Sequence, residues 1–168
     1  KFNDLIPKEI NRLDELTVNL LNFGKAEEKN LAPVLITEVI DGIIELTDSE
    51  LMKRNITVVQ EYADSISLVR ADENQMKQVF INVLLNAIEA IGTGGTITFR
   101  VTVEPDYVTI VVKDTGCGIP PELILKVYEP FYTTKPDGTG LGLSIVKTII
   151  ENHKGILHIQ SEPGQETD

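Results

Sequence analysis

The sequence predicts an α+β fold: a two-layer α/β sandwich with a mixed, mainly antiparallel sheet, helices on one face and an extra N-terminal helix. Three observations carry this. Residues 72–91 show the apolar rhythm of an amphipathic helix. Thr96–Glu104 and Tyr107–Lys113 alternate as strands and meet at Pro105-Asp106, a hairpin turn that makes them antiparallel neighbours. Along the chain the patterns run helix, two strands, helix, two strands, irregular loop, helix, strand.

In order, residues 1–24 carry a heptad-like stripe. Phe2, Leu16 and Phe23 form one series, with Glu9 as its defect, and Ile6, Leu13 and Leu20 form the other. Such a helix needs a partner, although a surface helix folded onto the domain would show the same stripe. Gly24–Asn30 breaks the pattern, so residues 25–33 read as a linker and 34–168 as the main domain. Residues 34–54 follow as a helix with Leu35, Val39, Ile43, Leu46 and Leu51 on one side, then short strands at Ile56–Tyr62 and Ser67–Arg70. In the helix from Asp72, Asp72 and Gln75 match a capping box, and Met76, Val79, Phe80, Val83, Leu84, Ala87, Ile88 and Ile91 form the apolar face. Thr93-Gly94-Gly95 is a turn. Leu141–Asn152 reads as a helix closed by Gly155, and Ile156–Gln160 as a last strand.

Composition excludes several function classes. Acidic residues outnumber basic ones 26 to 15, a net charge of −11, and this field opposes nucleic acid and anionic bilayers. Cys117 is the only cysteine, so neither an intrachain disulfide nor a thiolate zinc site is expected, in keeping with a reducing, cytoplasmic setting. No signal peptide is recognisable and no apolar stretch is long enough to span a bilayer. Lys1 is not an initiator residue, so any membrane segment is expected upstream.

Four motifs carry chemistry. Gln78, Asn82, Asn86 and Glu89 form a polar stripe opposite the apolar face, where carboxamide oxygens suit magnesium and its phosphates; a solvated helix face looks the same. Asp114-Thr115-Gly116-Cys117-Gly118-Ile119-Pro120 follows a strand. A carboxylate there can accept from the adenine amine and disfavour guanine, with glycines admitting a flat base, or it is only a tight turn. Glu129-Pro130-Phe131-Tyr132-Thr133-Thr134-Lys135 offers a phosphate cation and hydroxyl donors, with Phe131 expected to anchor the loop to the core, or it is only a surface loop with one lysine. Gly138-Thr139-Gly140-Leu141-Gly142-Leu143 leads into a helix whose N-terminus can bind an anion, unless it is a plain hinge. It has neither the Lys-Ser/Thr ending of a Walker loop nor the preceding strand of a dinucleotide fingerprint.

Together, in this order, N-V-L-L-N-A-I-E-A, D-T-G-C-G-I-P, E-P-F-Y-T-T-K and G-T-G-L-G-L-S-I-V resemble the nucleotide boxes of sensor histidine kinases. These belong to the gyrase, heat-shock-90, histidine kinase and mismatch-repair ATPase superfamily. The resemblance runs from about Val34 to Ser161, with wording similar to nitrogen-regulation and sporulation kinases. It implies that Asn86 ligates magnesium with Asn82 assisting at the phosphates, that Asp114 holds the adenine amine, and that Gly116, Gly118 and Ile119 line the base pocket. It places Phe131, Thr133, Thr134 and Lys135 in a mobile ATP lid and lets Gly138, Thr139, Gly140, Leu141, Gly142 and Leu143 cradle phosphates. Glu89 stands where many relatives carry a basic residue; its role is open between ordering Lys135 and ordering a water.

Members of the superfamily that hydrolyse ATP carry Glu one turn before the metal-binding Asn. Here that position is Asn82, which cannot be a general base. The resemblance therefore implies transfer of the ATP γ-phosphoryl group to a histidine of a dimerisation domain, for relay to a response regulator, in a homodimer. Residues 1–24 would be the second helix of that domain. Neither His153 nor His158 stands in the family's acceptor motif, so the chain is expected to bind ATP without labelling itself. A nucleotide-binding regulatory module and a related protein-serine kinase are the alternatives. The Gly-Thr turn and closing strand that relatives carry after a segment like Ser161-Glu162-Pro163-Gly164 are not found, so the last strand is expected to be incomplete.

Overall fold

A computed structural model describes residues 30–63, 68–135 and 138–161. The heptad helix expected over residues 1–24, most of the linker and the stretch after Ser161 lie outside them. The elements are β1 (Ala32–Val34), α1 (Ile36–Lys53), β2 (Ile56–Tyr62), β3 (Val69–Ala71), α2 (Glu73–Ile91), β4 (Gly95–Val103), β5 (Val108–Asp114) and α3 (Gly142–Asn152). Two short 3-10 turns, Pro121–Leu123 and Lys126–Tyr128, lie in the loop before α3.

The main sheet has the order β2-β4-β5, with β2 parallel and β5 antiparallel to β4. The hairpin closes where expected, through Glu104 N–H to Tyr107 O at 2.9 Å. Side chains alternate across β4. Ile97, Phe99 and Val101 are sealed from solvent, and complete burial contributes roughly 1.5–3 kcal/mol for each. On the other face Arg100 is exposed and pairs with Glu61 at 2.6 Å. The helices cover only the apolar face: α1 and α2 pack on each other, α1 on β2, α2 on β4 and β5, and α3 on α2.

Helix α1 buries Ile36, Val39, Ile40, Ile43 and Leu51, but Leu46, expected on that face, is 72% exposed. Thr47 takes the inward position at that turn, because its hydroxyl can donate to Ile43 O at 2.9 Å inside the helix. The three-residue strand β1 was not foreseen; it pairs antiparallel with β3, which itself lies two residues further along than expected at its start. Ile156–Gln160 joins no ladder among the described residues. Its polar groups serve the preceding loop instead: Ile159 bonds the Tyr128 hydroxyl, and the nearby Ser161 Oγ accepts from Ile119 N–H at 2.7 Å.

Asp72 ties the layers together. Its carboxylate accepts from Gln75 N–H at 3.0 Å, capping α2, and from Asn30 N–H at 3.0 Å. The expected capping box is only half made. Asp72 N–H donates to His153 Nε2 at 3.0 Å, and Gln75 Oε1 is buried with no partner among the described residues. The other ring nitrogen, Nδ1, lies 2.8 Å from Ile149 O, so accepting at Nε2 fixes the neutral tautomer with its proton on Nδ1. One imidazole thus joins the end of α3 to the start of α2. Among the described residues no helix is long and apolar enough to cross a membrane.

His153→Ala should cost about 1–2 kcal/mol in urea unfolding, since it orphans the Asp72 N–H, and His153→Gln should recover part of that through its amide oxygen. An alanine variant with an unchanged midpoint would rule out the clasp.

Candidate functional site

Helix α2 faces two ways. Its buried stripe, Met76, Val79, Phe80, Leu84, Ala87 and Ile88, belongs to the core, while Asn82, Asn86, Glu89 and Ala90 follow one another on its other side. From Asn82 to Ala90 the rise is about 12 Å. Along that length the three other motifs meet the helix.

At the Ala90 end, Asp114 closes β5 and sits opposite Ile97 on the core side of the sheet, only 7% exposed. Its Oδ1 accepts from Gly116 N–H at 2.8 Å, which folds the chain sharply after the strand. Cys117 N–H then bonds Ala90 O at 3.2 Å. A Cβ on Gly116 would meet Ala90 Cβ at 2.7 Å, so glycine is needed for the loop to lie against the helix. Thr115 Oγ1 accepts from Thr96 N–H at 3.0 Å and fastens the same turn to β4. Gly118 has φ +73°, and Ile119 is held through its bond to Ser161.

Near Asn82 the start of α3 arrives. Asn82 Nδ2 donates to Gln78 O at 2.8 Å, which fixes the amide. A Cβ on Gly142 would stand 3.3 Å from Asn82 Oδ1 and 3.6 Å from Asn86 Nδ2. The two amides therefore lie directly beneath the first turn of α3, whose N-cap residue, Leu141, makes no side-chain cap. The first backbone N–H groups of a helix are donors without intrahelical partners, so this is a natural anion position. Leu141 is 1% exposed: its side chain is a core anchor, and only its backbone can face a phosphate.

Between these ends Lys135 reaches across. Its ammonium pairs with the Glu89 carboxylate and lies 3.4 Å from Asn86 Oδ1. Thr133 Oγ1 accepts from Lys135 N–H at 3.0 Å, while Thr134 is exposed. Gly138 comes against Thr133, where a Cβ would fall 2.4 Å from Oγ1, and Thr139 Oγ1 accepts from Leu141 N–H at 3.4 Å. Gly140, at φ +68°, takes a hydrogen bond from Phe131 N–H at 2.9 Å. Phe131 does not anchor the loop through its ring, as the sequence had suggested. It is 62% exposed and has φ +68°, so the anchor is its backbone.

The donor set suits a hard cation. Asn86 Oδ1 already faces an ammonium, and a carboxylate stands beside it. Among the described residues no three His, Cys, Asp or Glu side chains are grouped to hold a metal, so most ligands would have to come from phosphate and water, as magnesium prefers. Sequence reasoning missed Ala90 as the seat of the Asp114 loop and His153 as a clasp. A small residue following Glu89 on the helix was the only available hint for the first.

Comparison with known proteins places the chain in a family. Residues 71–168 match the family of histidine kinase-, DNA gyrase B- and HSP90-like ATPases. The chain is 34% identical over 167 residues to sporulation kinase A of Bacillus subtilis (strain 168), covering 99% of this chain and 28% of that protein. It therefore spans little more than a quarter of that relative. The nucleotide-free catalytic domain of the histidine kinase ThkA superposes with a TM-score of 0.75 at 35% identity, over 82% of this chain and 91% of that one. ThkA in complex with the response regulator protein TrrA gives 0.84 at 30% identity, over 99% of this chain and 48% of that one. The chain belongs to the histidine kinase-, DNA gyrase B- and HSP90-like ATPases, and it carries the ATP-binding catalytic domain of a sensor histidine kinase.

Proposed function

We propose that this domain holds magnesium-bound ATP along α2 and presents the γ-phosphoryl group to a histidine on a dimerisation domain, for relay to a response regulator. The observation that carries the reading is the meeting of the α3 N-terminus with Asn82 and Asn86, with Lys135 at the same point. Backbone N–H groups, a partial positive charge of roughly +0.5 and an ammonium converge there, within a protein of net charge −11. The triphosphate belongs at that end and the adenine at the other.

At the base end, Asp114 accepts from the exocyclic amine, while Gly116, Gly118 and Ile119 bring backbone close to the ring. At the phosphate end, Thr139, Gly140, Gly142 and Leu143 offer backbone donors, Gly138 holds the loop through its bond to Lys135 O, and Thr133, Thr134 and Lys135 add side-chain donors. Asn86 would hold magnesium, with Asn82 beside it at the phosphates; when bound, the ion neutralises charge on the transferring group. The chain's own contribution is alignment: phosphates are fixed at a helix tip while an outside nucleophile approaches in line.

Hydrolysis is disfavoured by the same residues. Asn82 has no proton-accepting character and its amide is tied to Gln78 O, so no base stands one turn before Asn86 to activate water. Self-labelling is disfavoured too, because both nitrogens of His153 are engaged in joining α3 to α2 and His158 does not stand in the acceptor motif. The acceptor then belongs to another element. We assign residues 1–24 to the second dimerisation helix, 25–33 to the linker and 34–168 to the catalytic domain, within a kinase that works as a homodimer. ThkA bound to TrrA supports a response regulator as partner. The negative field speaks against nucleic acid, and any membrane attachment is assigned to segments other than these, with this domain on the cytoplasmic side.

Asn86→Ala should abolish most of the magnesium dependence of ATP binding, on the order of tenfold, while binding in chelator changes little. Asp114→Ala should lower ATP affinity by roughly 10- to 100-fold and leave ATP and GTP nearly equal. Calorimetric titration reads both, and wild-type values in both variants would show that the two ends are misassigned. Given labelled ATP and a separately supplied acceptor-helix domain, the label should go to histidine, lost in acid and stable in base. Label on serine would favour the serine-kinase alternative, and none on a competent acceptor would favour a regulatory nucleotide-binding module.

A further inference from the structure

In this structure a single ammonium stands against two groups that a nucleotide would need. Lys135 Nζ pairs with the Glu89 carboxylate and is 3.4 Å from Asn86 Oδ1. An ammonium facing that amide oxygen at hydrogen-bonding distance opposes a divalent cation there, because two positive charges would crowd one acceptor. A cation reaching Asn86 therefore gains when Lys135 moves away.

We infer that Glu89 is a positioning residue which parks Lys135 over Asn86, and that nucleotide binding is a cation exchange: phosphates draw the ammonium away and magnesium replaces it at the amide. The inference rests on the reading of Asn86 and Lys135 given above. Three features support the exchange. The side chains of Lys135 and Glu89 are 42% and 50% exposed, so their bond is easily traded. The Lys135 backbone is braced on its own, accepting from Gly138 N–H at 3.3 Å and donating to Thr133 Oγ1 at 3.0 Å, so only the side chain has to swing. A triphosphate also carries several negative charges against the single one of Glu89, which decides the direction of transfer.

Once Lys135 has left, the Glu89 carboxylate remains three residues from Asn86 on the same helix. Unscreened, it repels phosphate; beside magnesium, it is neutralised. Glu89 therefore makes affinity depend on the metal twice over, by holding the lysine and by leaving a charge behind. A simple repulsive role would have only the second effect, and the two are separable because only the first needs Lys135.

The test is a double-mutant cycle on ATP affinity, with Glu89→Gln, Lys135→Ala and the double variant titrated in chelator and in excess magnesium, and adenosine as a phosphate-free control. In chelator, Glu89→Gln should tighten ATP by about two- to fivefold when Lys135 is present, the range of an exposed ion pair, and clearly less in the Lys135→Ala background. Its magnesium dependence should fall, and adenosine should bind all four proteins alike. Equal tightening in both backgrounds would overturn the handover in favour of plain repulsion, as would no tightening in either. If wild-type ATP binding proved indifferent to magnesium while adenosine still bound, the reading of Asn86 itself would fall and this inference with it.

Discussion

The site depends on close backbone approach to a single helix. Two loops lie against α2: the turn after β5 at Ala90, where a side chain would be blocked, and the first turn of α3 at Asn82 and Asn86, where a Cβ would be tight. Gly116 makes the first contact possible, and Gly142 keeps the second free of crowding. A methyl group at position 116 would sit 2.8 Å from the Ala90 carbonyl carbon, a distance that packed atoms do not reach, so the loop would have to lift. Lifting it would move Asp114 and the base end of the site. The glycines in these motifs therefore register two loops against α2, which in turn is registered by its apolar face in the core.

That dependence explains why the fold is locked at points remote from the chemistry. Asp72 caps α2, holds Asn30 and donates to His153, so the helix that carries the amides and the helix that carries the anion position are joined at their far ends. Tyr128 ties the preceding loop to α3, with Lys147 of that helix over its ring at 5.3 Å. The angle between α2 and α3 determines how near Gly142 comes to Asn82, so contacts at one end of the pair set geometry at the other.

Much of this was legible in the sequence, and the failures have physical causes. Helix α2 could be read because nineteen residues of one period leave little ambiguity, and the hairpin because Pro105-Asp106 allows few alternatives. Strand β1 was hidden because three residues give no alternation, and Pro33 lacks the N–H that marks a strand. Leu46 was misplaced because Thr47 can bury itself by bonding within its own helix. The capping box was half wrong because its second half is a competition, and a histidine 81 positions away took the donor. Sequence spacing records local partners well and distant ones poorly. For the same reason the four motifs were visible and the resemblance implied that they meet, with Lys135 as one possible partner of Glu89, but spacing alone could not supply the contacts themselves, such as Gly142 over Asn82.

The electrostatics follow from an apparent contradiction. A chain of net charge −11 carries an ATP-binding domain, and the proposed anion end of the site itself contains a carboxylate, Glu89. Charge of that sign is tolerable there because it is matched locally, by Lys135 in this structure and, in the proposed reading, by magnesium when nucleotide is present. The helix tip supplies attraction that does not change between the two states, since backbone N–H groups neither titrate nor leave. The mobile charges then need only supply the difference between them. Placing the acidic residue on the rigid helix and the basic one on the loop means that the charge that stays is the one the metal must satisfy. In the proposed exchange, affinity for phosphate alone is kept low and the metal–phosphate pair is what the site selects.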